Sequence, residues 1–154
     1  MVDRHDYVAL EWVKGDIAET LKQARSALDT YVDTHDGDAI GACLAGIHQV
    51  HGALQMVEFY GAALLAEEIE ELALALQAGN VAQRDESLRL LQQALGQLPL
   101  YLDRVHSARR DLPLVVLPLL NDLRSARGES LLSETSLFSP QLLSIAPLPY
   151  EVLA

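Results

Sequence analysis

The chain has 154 residues, of which half are hydrophobic and only 5% aromatic, and its formal net charge is −11 with histidine neutral. This length is enough to bury one hydrophobic core. The negative charge repels nucleic-acid phosphates and anionic lipids, so we expect no nucleic-acid or membrane partner, whereas a basic protein surface remains compatible. No run approaches the ~18 apolar residues of a membrane span. There is no signal-peptide pattern and only one cysteine, Cys43, so we expect a reduced, cytoplasmic setting.

Five helices are predicted, because apolar residues recur at three- and four-residue steps. They cover residues 8–32, 38–59, 62–76, 82–106 and 114–127. Residues 1–7 form a polar lead, and residues 129–154 an extended tail or a linker to the rest of a larger protein. We therefore predict an all-α, up-and-down antiparallel bundle over residues 1–128, with a four-helix core and a fifth helix.

Turn and breaker residues set the predicted boundaries. Asp36 or Asp38 caps the second helix, Tyr60-Gly61 forms the turn that follows it, and Gly79-Asn80 ends the third helix. Proline interrupts two of the predicted helices. Pro99 predicts a kink or split of the fourth helix near residue 97, and Pro118 interrupts the fifth.

The second helix carries the candidate site. Its buried stripe is well defined (Ile40, Cys43, Leu44, Ile47, Val50, Leu54 and Val57). On a helical wheel His48 lies about 100° from Ile47, at the edge of the polar face, whereas His51 lies only about 40° away. Around His48 stand three very small residues and one amide (Gly41, Ala45, Gly52 and Gln55). We therefore expect an exposed imidazole on a strip that another protein can approach closely.

Several other residues invite a functional interpretation, and for each we prefer the simpler one. His48 and His51 are two possible metal ligands without a third, so we predict no metal site. His51 is expected to be half-buried with its polar atoms satisfied, and Cys43 to be inert core packing. Trp12 and Tyr7 are either an interaction anchor or packing residues, and packing is favoured. A glutamate cluster in the third helix (Glu67, Glu68, Glu70 and Glu71) is expected to be a solvated face. Since no nucleotide-binding motif is present, we predict no ATP site, no cofactor and no kinase activity in this chain.

Residues 38–78 resemble the histidine phosphotransfer (Hpt) family. The pattern is His48, then His51-Gly52, an apolar stretch ending in Gly61, and an acidic helix over residues 64–72. Three longer stretches resemble the N-terminal region of the ChpA/PilL family of chemotaxis-type (CheA-like) hybrid histidine kinases of the type IV pilus system, and its FimL-type scaffold relatives. They are residues 7–15 (YVALEWVKG), 48–71 and 117–124 (LPLLNDLR).

The resemblance implies an Hpt-like domain in a kinase that controls twitching motility. By position, His48 is the phosphoacceptor in a phosphorelay, and a receiver domain or the kinase core is its partner. His51 and Gln55 are then its neighbours, Gly52 gives clearance, and Gly41 and Ala45 complete the contact strip. One residue departs from the family pattern: His51 stands where the family has a lysine. FimL-type relatives lack the phosphotransfer histidine, so the alternative is a non-phosphorylated docking domain that binds a pilus-system or polarity scaffold protein.

Overall fold

A computed structural model of the chain describes residues 2–108 and 113–137, and within them the secondary structure is helical, with no strand. The elements are α1 (Val2–Thr34), α2 (Gly37–Met56), α3 (Tyr60–Ala78), α4 (Arg84–Ala108), a 3₁₀ turn (Pro113–Val116), α5 (Leu117–Ala126) and α6, a single turn (Glu134–Leu137). The predicted all-α class is confirmed.

The first four helices form a closed up-and-down bundle. Each packs against the next, and α4 returns to pack against α1, while α5 lies across α3 and α4. The interior is built mainly from fully buried leucine and isoleucine side chains (Leu21, Leu28, Ile40, Ile47, Leu54, Leu65, Ile69, Leu72, Leu76, Leu91 and Leu95). Burying each of these stabilises the fold by about 1.5–3 kcal/mol before the entropy of ordering the chain is subtracted. This packing fixes the rotation of α2 and α3 about their own axes.

The ends of α2 and α3 follow local rules. Asp36 is the N-cap of α2, and its side chain accepts a hydrogen bond from the backbone N–H of Asp38 at 3.0 Å. Gly79 ends α3 with a left-handed φ of 77°, and its N–H donates back to the carbonyl of Leu76. Both features confirm the predicted boundaries.

Two other predicted boundaries are wrong. The turn between α2 and α3 lies at residues 57–59, whereas Tyr60 and Gly61 already belong to α3. Phe59 sets this turn, because its ring is buried and its backbone N–H donates to the Leu54 carbonyl at 3.0 Å. At the chain start the predicted polar lead is helical from Val2 onward. Acidic residues near a helix N-terminus favour that outcome through the helix dipole.

Helix α4 runs through Pro99 without a break, so of the predicted kink or split the split is wrong, and the kink stays a prediction. Proline inside a helix costs about 3 kcal/mol, because it removes one hydrogen bond and crowds the preceding turn. Burial of the side chains on both sides offsets this cost (Leu95, Leu98, Tyr101 and Leu102). In α5, by contrast, Pro118 occupies the first turn, where no backbone N–H is needed, and residues 113–116 form the 3₁₀ turn ahead of it.

The first residues of the predicted tail turn back along α5. The side chain of Asn121 holds Leu132 by two hydrogen bonds, accepting from its N–H at 2.7 Å and donating to its carbonyl at 2.9 Å. Residues 134–137 then form α6. Residues 138–154 of the predicted extended tail lie outside the described part, and the domain boundary at residue 128 stays a prediction.

Candidate functional site

Helix α2 presents two histidines one turn apart, in different environments. Ile47, Val50 and Leu54 are buried, which fixes the rotation of the helix. The side chain of His48 is consequently 76% exposed, whereas that of His51 is 19% exposed. The difference follows the predicted wheel positions, with His48 at the rim and His51 half-buried.

One carboxylate on α3 joins the two rings. Glu70 Oε2 lies 2.8 Å from His48 Nδ1, and Glu70 Oε1 lies 3.1 Å from His51 Nδ1. The Glu70 side chain is 16% exposed, so its carboxylate is largely shielded from water, and the bond to the half-buried His51 is better protected than the bond to the exposed His48. Glu70 thereby crosslinks α2 to α3 through side chains at the edge of the bundle.

These contacts determine which ring nitrogens carry protons. An ionised carboxylate only accepts, so both Nδ1 atoms donate to Glu70. In a neutral imidazole the other nitrogen then has a free lone pair. His51 Nε2 uses its lone pair to accept from Gln55 Nε2 at 3.3 Å. In the neutral form of His48, Nε2 is likewise the nitrogen without a proton, and it belongs to a side chain that is 76% exposed.

This arrangement suits a nucleophile. The carboxylate holds the ring in one tautomer and one orientation, and it stabilises the positive charge that the imidazole gains when Nε2 forms a bond. Nε2 itself is open to a second molecule. The site therefore has the geometry of a carboxylate-supported imidazole that reacts with a group delivered from outside.

The residues around the ring leave space. Apart from the backbone of α2 itself and the adjacent residues, a Cβ added at Gly41 or at Gly52 would meet no atom of the described residues within 4 Å, and Ala45 is exposed. Gly46, on the opposite side of α2, differs: a Cβ there would lie 3.2 Å from the Cβ of Ala24 on α1. Gly46 therefore allows α2 to pack closely against α1, whereas Gly41 and Gly52 leave the surface beside His48 without protruding side chains.

Residues 8–108 match the model of the Hpt domain family. This range begins in the second turn of α1 and extends to the end of α4. The chain belongs to the Hpt domain family. It is also 32% identical over 135 residues to a protein named scaffold protein FimL from Pseudomonas aeruginosa. That alignment covers 87% of this chain and 24% of the relative, so the chain spans about a quarter of that relative's length. No solved structure shows significant similarity to the chain.

The Hpt match ends where α4 ends, and a buried ion-pair cluster attaches α5 to that core. Glu68 of α3 is 3% exposed, and it pairs with Arg124 at 2.8 Å and with Arg127 at 3.0 Å. The prediction that Glu68 belongs to a solvated acidic face is therefore wrong. Its position one turn from the buried Leu65 and Leu72 places it inward, and two arginines compensate its charge.

The rest of that acidic cluster divides between the site and the surface. Glu70 supports the two histidines, which also corrects its assignment to a solvated face. Glu67 is exposed, yet desolvation by the neighbouring protein raises the pKa of its carboxyl, and the nearby His51 ring opposes this shift. No arginine or lysine of the described residues pairs with Glu70, so the immediate surroundings of His48 are acidic.

Glu70 was not singled out from the sequence, although a signal was available. It follows the buried Ile69 by one residue, as His48 follows the buried Ile47. In adjacent antiparallel helices, side chains at that same offset from the buried stripe point to the same groove. Comparing the helical wheels of α2 and α3 would have placed Glu70 across the α2/α3 groove from His48.

Two negative findings concern the described residues. Residues 2–108 and 113–137 contain no group of three or more histidine, cysteine, aspartate or glutamate side chains placed to hold a metal ion. In the same part of the chain, no helix combines the length and hydropathy that crossing a bilayer requires.

Proposed function

We propose that this Hpt domain accepts a phosphoryl group on Nε2 of His48 and passes it on in a phosphorelay. The observation that carries the proposal is the hydrogen bond from His48 Nδ1 to Glu70, which leaves Nε2 unprotonated on an exposed ring. Nε2 attacks phosphorus in line. The N–P bond forms as the P–O bond to the donor breaks, and the electron pair leaves with the donor oxygen. The Nδ1 proton stays on the ring and keeps its bond to Glu70.

The neighbouring residues have distinct roles in this proposal. His51 holds the second oxygen of Glu70, and Gln55 holds the His51 ring through Nε2, so together they keep the carboxylate aligned. Gly52, Gly41 and Ala45 leave room for the phosphoryl donor, which is a receiver domain with an aspartyl phosphate or a kinase core with its nucleotide. Binding of the donor holds its phosphorus next to Nε2, and this proximity accounts for much of the acceleration of phosphoryl transfer.

We further propose that the domain belongs to a chemotaxis-type hybrid kinase of the type IV pilus system, acts in the cytoplasm and controls twitching motility. The support is the similarity to a FimL scaffold protein, together with the resemblance of residues 7–15, 48–71 and 117–124 to the ChpA/PilL family. The matched relative is about four times as long as the aligned segment, so partners of the whole protein belong to this proposal as well.

The test is a transfer assay with the purified chain. Incubation with the phosphorylated receiver domain or with the kinase core and ATP should label the wild type with phosphate that is labile to acid and stable to base. His48→Gln should take up no label, and His51→Gln should still take up label. Absence of label on the wild type, or equal label on His48→Gln, contradicts the assignment.

A docking function without phosphorylation is the second candidate, and a different surface favours it. Trp12 is 81% exposed and Met56 is 85% exposed, so the prediction that Trp12 is a packing residue is wrong. A shallow groove of about 180 Å³ lies between α1 and α2. Its lining includes Val13, which follows Trp12 in the chain, and Ala53, which lies one helical turn before Met56. Exposed tryptophan and methionine beside an apolar groove are typical of protein-binding surfaces.

A pull-down from an extract of the host cell separates the two candidates. If docking is the function, the immobilised chain should retain the same protein with and without His48→Gln, and Trp12→Ser should abolish retention. Leu74→Ser, which changes an exposed leucine on α3, is the matched control. Retention that is lost in His48→Gln, or that persists in Trp12→Ser, argues against this second function.

A further inference from the structure

An open apolar groove lies on the side of the bundle where α5 crosses α4. It has a volume of about 370 Å³. Its walls come from the C-terminal half of α4, the 3₁₀ turn and the first turns of α5, with apolar and aromatic lining residues (Leu100, Tyr101, Val115, Val116, Pro118 and Leu119). We call this feature the α4/α5 groove.

The side chains at the mouth of the α4/α5 groove are exposed. Leu100 is 61% exposed and Val115 is 47% exposed, and Leu114 next to Val115 is exposed too. Polar side chains line the rest of the groove, with two amides and one charge of each sign (Gln93, Gln97, Arg104 and Asp122). A partner that removes these large apolar side chains from water gains free energy in proportion to the apolar area that it covers. The groove therefore favours an apolar occupant without net charge.

The described chain leads toward this groove. After α5 the backbone turns back along that helix, where the Ser130 carbonyl accepts a hydrogen bond from Arg124 Nε at 2.6 Å and Asn121 holds Leu132. Helix α6 then packs against the 3₁₀ turn, which forms one wall of the groove. The last described residue, Leu137, thus lies in the element beside the groove wall.

The next stretch of sequence has the matching chemistry. Residues 138–150 (FSPQLLSIAPLPY) contain no acidic or basic residue, in a chain of which 21% is charged. Five of them carry large aliphatic or phenyl side chains (Phe138, Leu142, Leu143, Ile145 and Leu148). We propose that residues 138–148 bind in the α4/α5 groove of their own chain and cover Leu100 and Val115.

The covalent connection favours this segment over other occupants. A short tether holds the segment near the groove at an effective concentration of order millimolar. A second copy of the chain or another protein in micromolar amounts has to overcome that advantage. Occupation in cis would close the apolar surface beside α5 and leave the His48 face, between α2 and α3, open.

Disulfide trapping in the full chain tests the proposal. The double variant Leu100→Cys/Leu143→Cys should form an intramolecular disulfide in oxidised glutathione, about tenfold or more faster than Leu74→Cys/Leu143→Cys, which pairs the segment with an exposed site on α3. Native Cys43 does not compete, since it is fully buried and burial raises its pKa to about 12. Non-reducing gels and mass spectrometry measure the product.

Two results would overturn the proposal. Equal rates for the two cysteine pairs would mean that the segment has no preference for the groove, and a product that links two chains would assign the groove to a second copy.

A single-cysteine experiment removes any bias from crosslinking. In Leu100→Cys, adding Leu143→Glu should speed maleimide labelling of the new thiol several-fold, whereas adding Leu153→Glu should leave the rate unchanged.

Discussion

Replacing Glu70 by glutamine tests the chemical core of the site. The substitution keeps the size of the side chain and removes the charge that both histidines share. It also changes the donor pattern, because an amide offers one oxygen and one NH₂ where the carboxylate offered two oxygens. If the NH₂ faces His48, that ring must accept at Nδ1 and therefore carry its proton on Nε2, which then has no lone pair for phosphorus.

The expected loss follows from the strength of the contact. A hydrogen bond to a charged group contributes about 1.5–3 kcal/mol and a neutral one about 0.5–1.5 kcal/mol, so the charge accounts for about 1–1.5 kcal/mol. Since about 1.4 kcal/mol is tenfold in rate, Glu70→Gln should slow phosphorylation of His48 by roughly five- to tenfold. The change of tautomer adds to that loss. Because the His48 side chain is 76% exposed, solvent screens part of this contact, and the expected slowing lies at the lower end of that range.

The assay uses phosphoramidate, a small phosphoryl donor that needs no partner protein. Single-turnover labelling gives the rate, and ³¹P NMR identifies Nε2 as the modified atom. Glu67→Gln is the matched control, because it removes a neighbouring negative charge without touching a hydrogen bond to either ring, and it should not slow the reaction. Labelling of Glu70→Gln at the wild-type rate would refute the argument, as would equal slowing by Glu67→Gln. Circular dichroism establishes that both variants are folded.

Three further predictions concern stability and access. Glu68→Gln should lower the free energy of unfolding by about 3 kcal/mol, because it leaves the largely buried guanidinium of Arg124 without a carboxylate and that of Arg127 with only the exposed Glu129. Glu71→Gln should change the free energy of unfolding little, and urea denaturation measures both variants. Gly52→Leu should not lower the melting temperature, because leucine is a better helix former than glycine at this exposed position, but it should block transfer from a receiver domain. Gly15→Leu, at a similarly open position on α1, should leave transfer intact. Glu67 has a raised pKa in the folded chain, so the folded state binds its proton more tightly and stability falls as pH rises above the ordinary value of 4.5. Glu67→Gln should therefore melt higher than the wild type at pH 7 and show no such advantage well below pH 4.5.

Features that depend on one helix were predictable from the sequence. The apolar stripe of α2 sets the rotation of that helix, and from it follow the exposed His48 and the half-buried His51. Asp36 as a cap and Gly79 as a helix end are equally local, since each acts on backbone groups within a few residues. These features need no knowledge of what packs against the helix.

Features that depend on two helices were not predicted. Glu70 becomes part of the site only because α3 lies antiparallel to α2 with its edge toward His48. Glu68 is buried only because α5 brings Arg124 and Arg127 over it. Periodicity places residue 68 on the inner side of α3, but a carboxylate in that position is interpreted as solvated unless its partners are known. Pro99 illustrates the same limit, since tertiary burial outweighs a local helix breaker.

The charges around His48 indicate how this site differs from one with a lysine at position 51. A phosphoryl group brings up to about two negative charges next to Glu70 and Glu67. His51 can offset these negative charges only if its Nε2 also carries a proton. Gln55 now donates a hydrogen bond to that nitrogen, so its amide must first turn its oxygen toward the ring. Arg124 and Arg127, which approach the acidic residues of α3, are both held by Glu68. Compensating charge must therefore come largely from the partner that delivers or removes the phosphoryl group, which suits a chain of net charge −11 that meets a basic protein surface. If His48 is phosphorylated, these charges favour rapid transfer to the next protein over storage of the phosphoryl group.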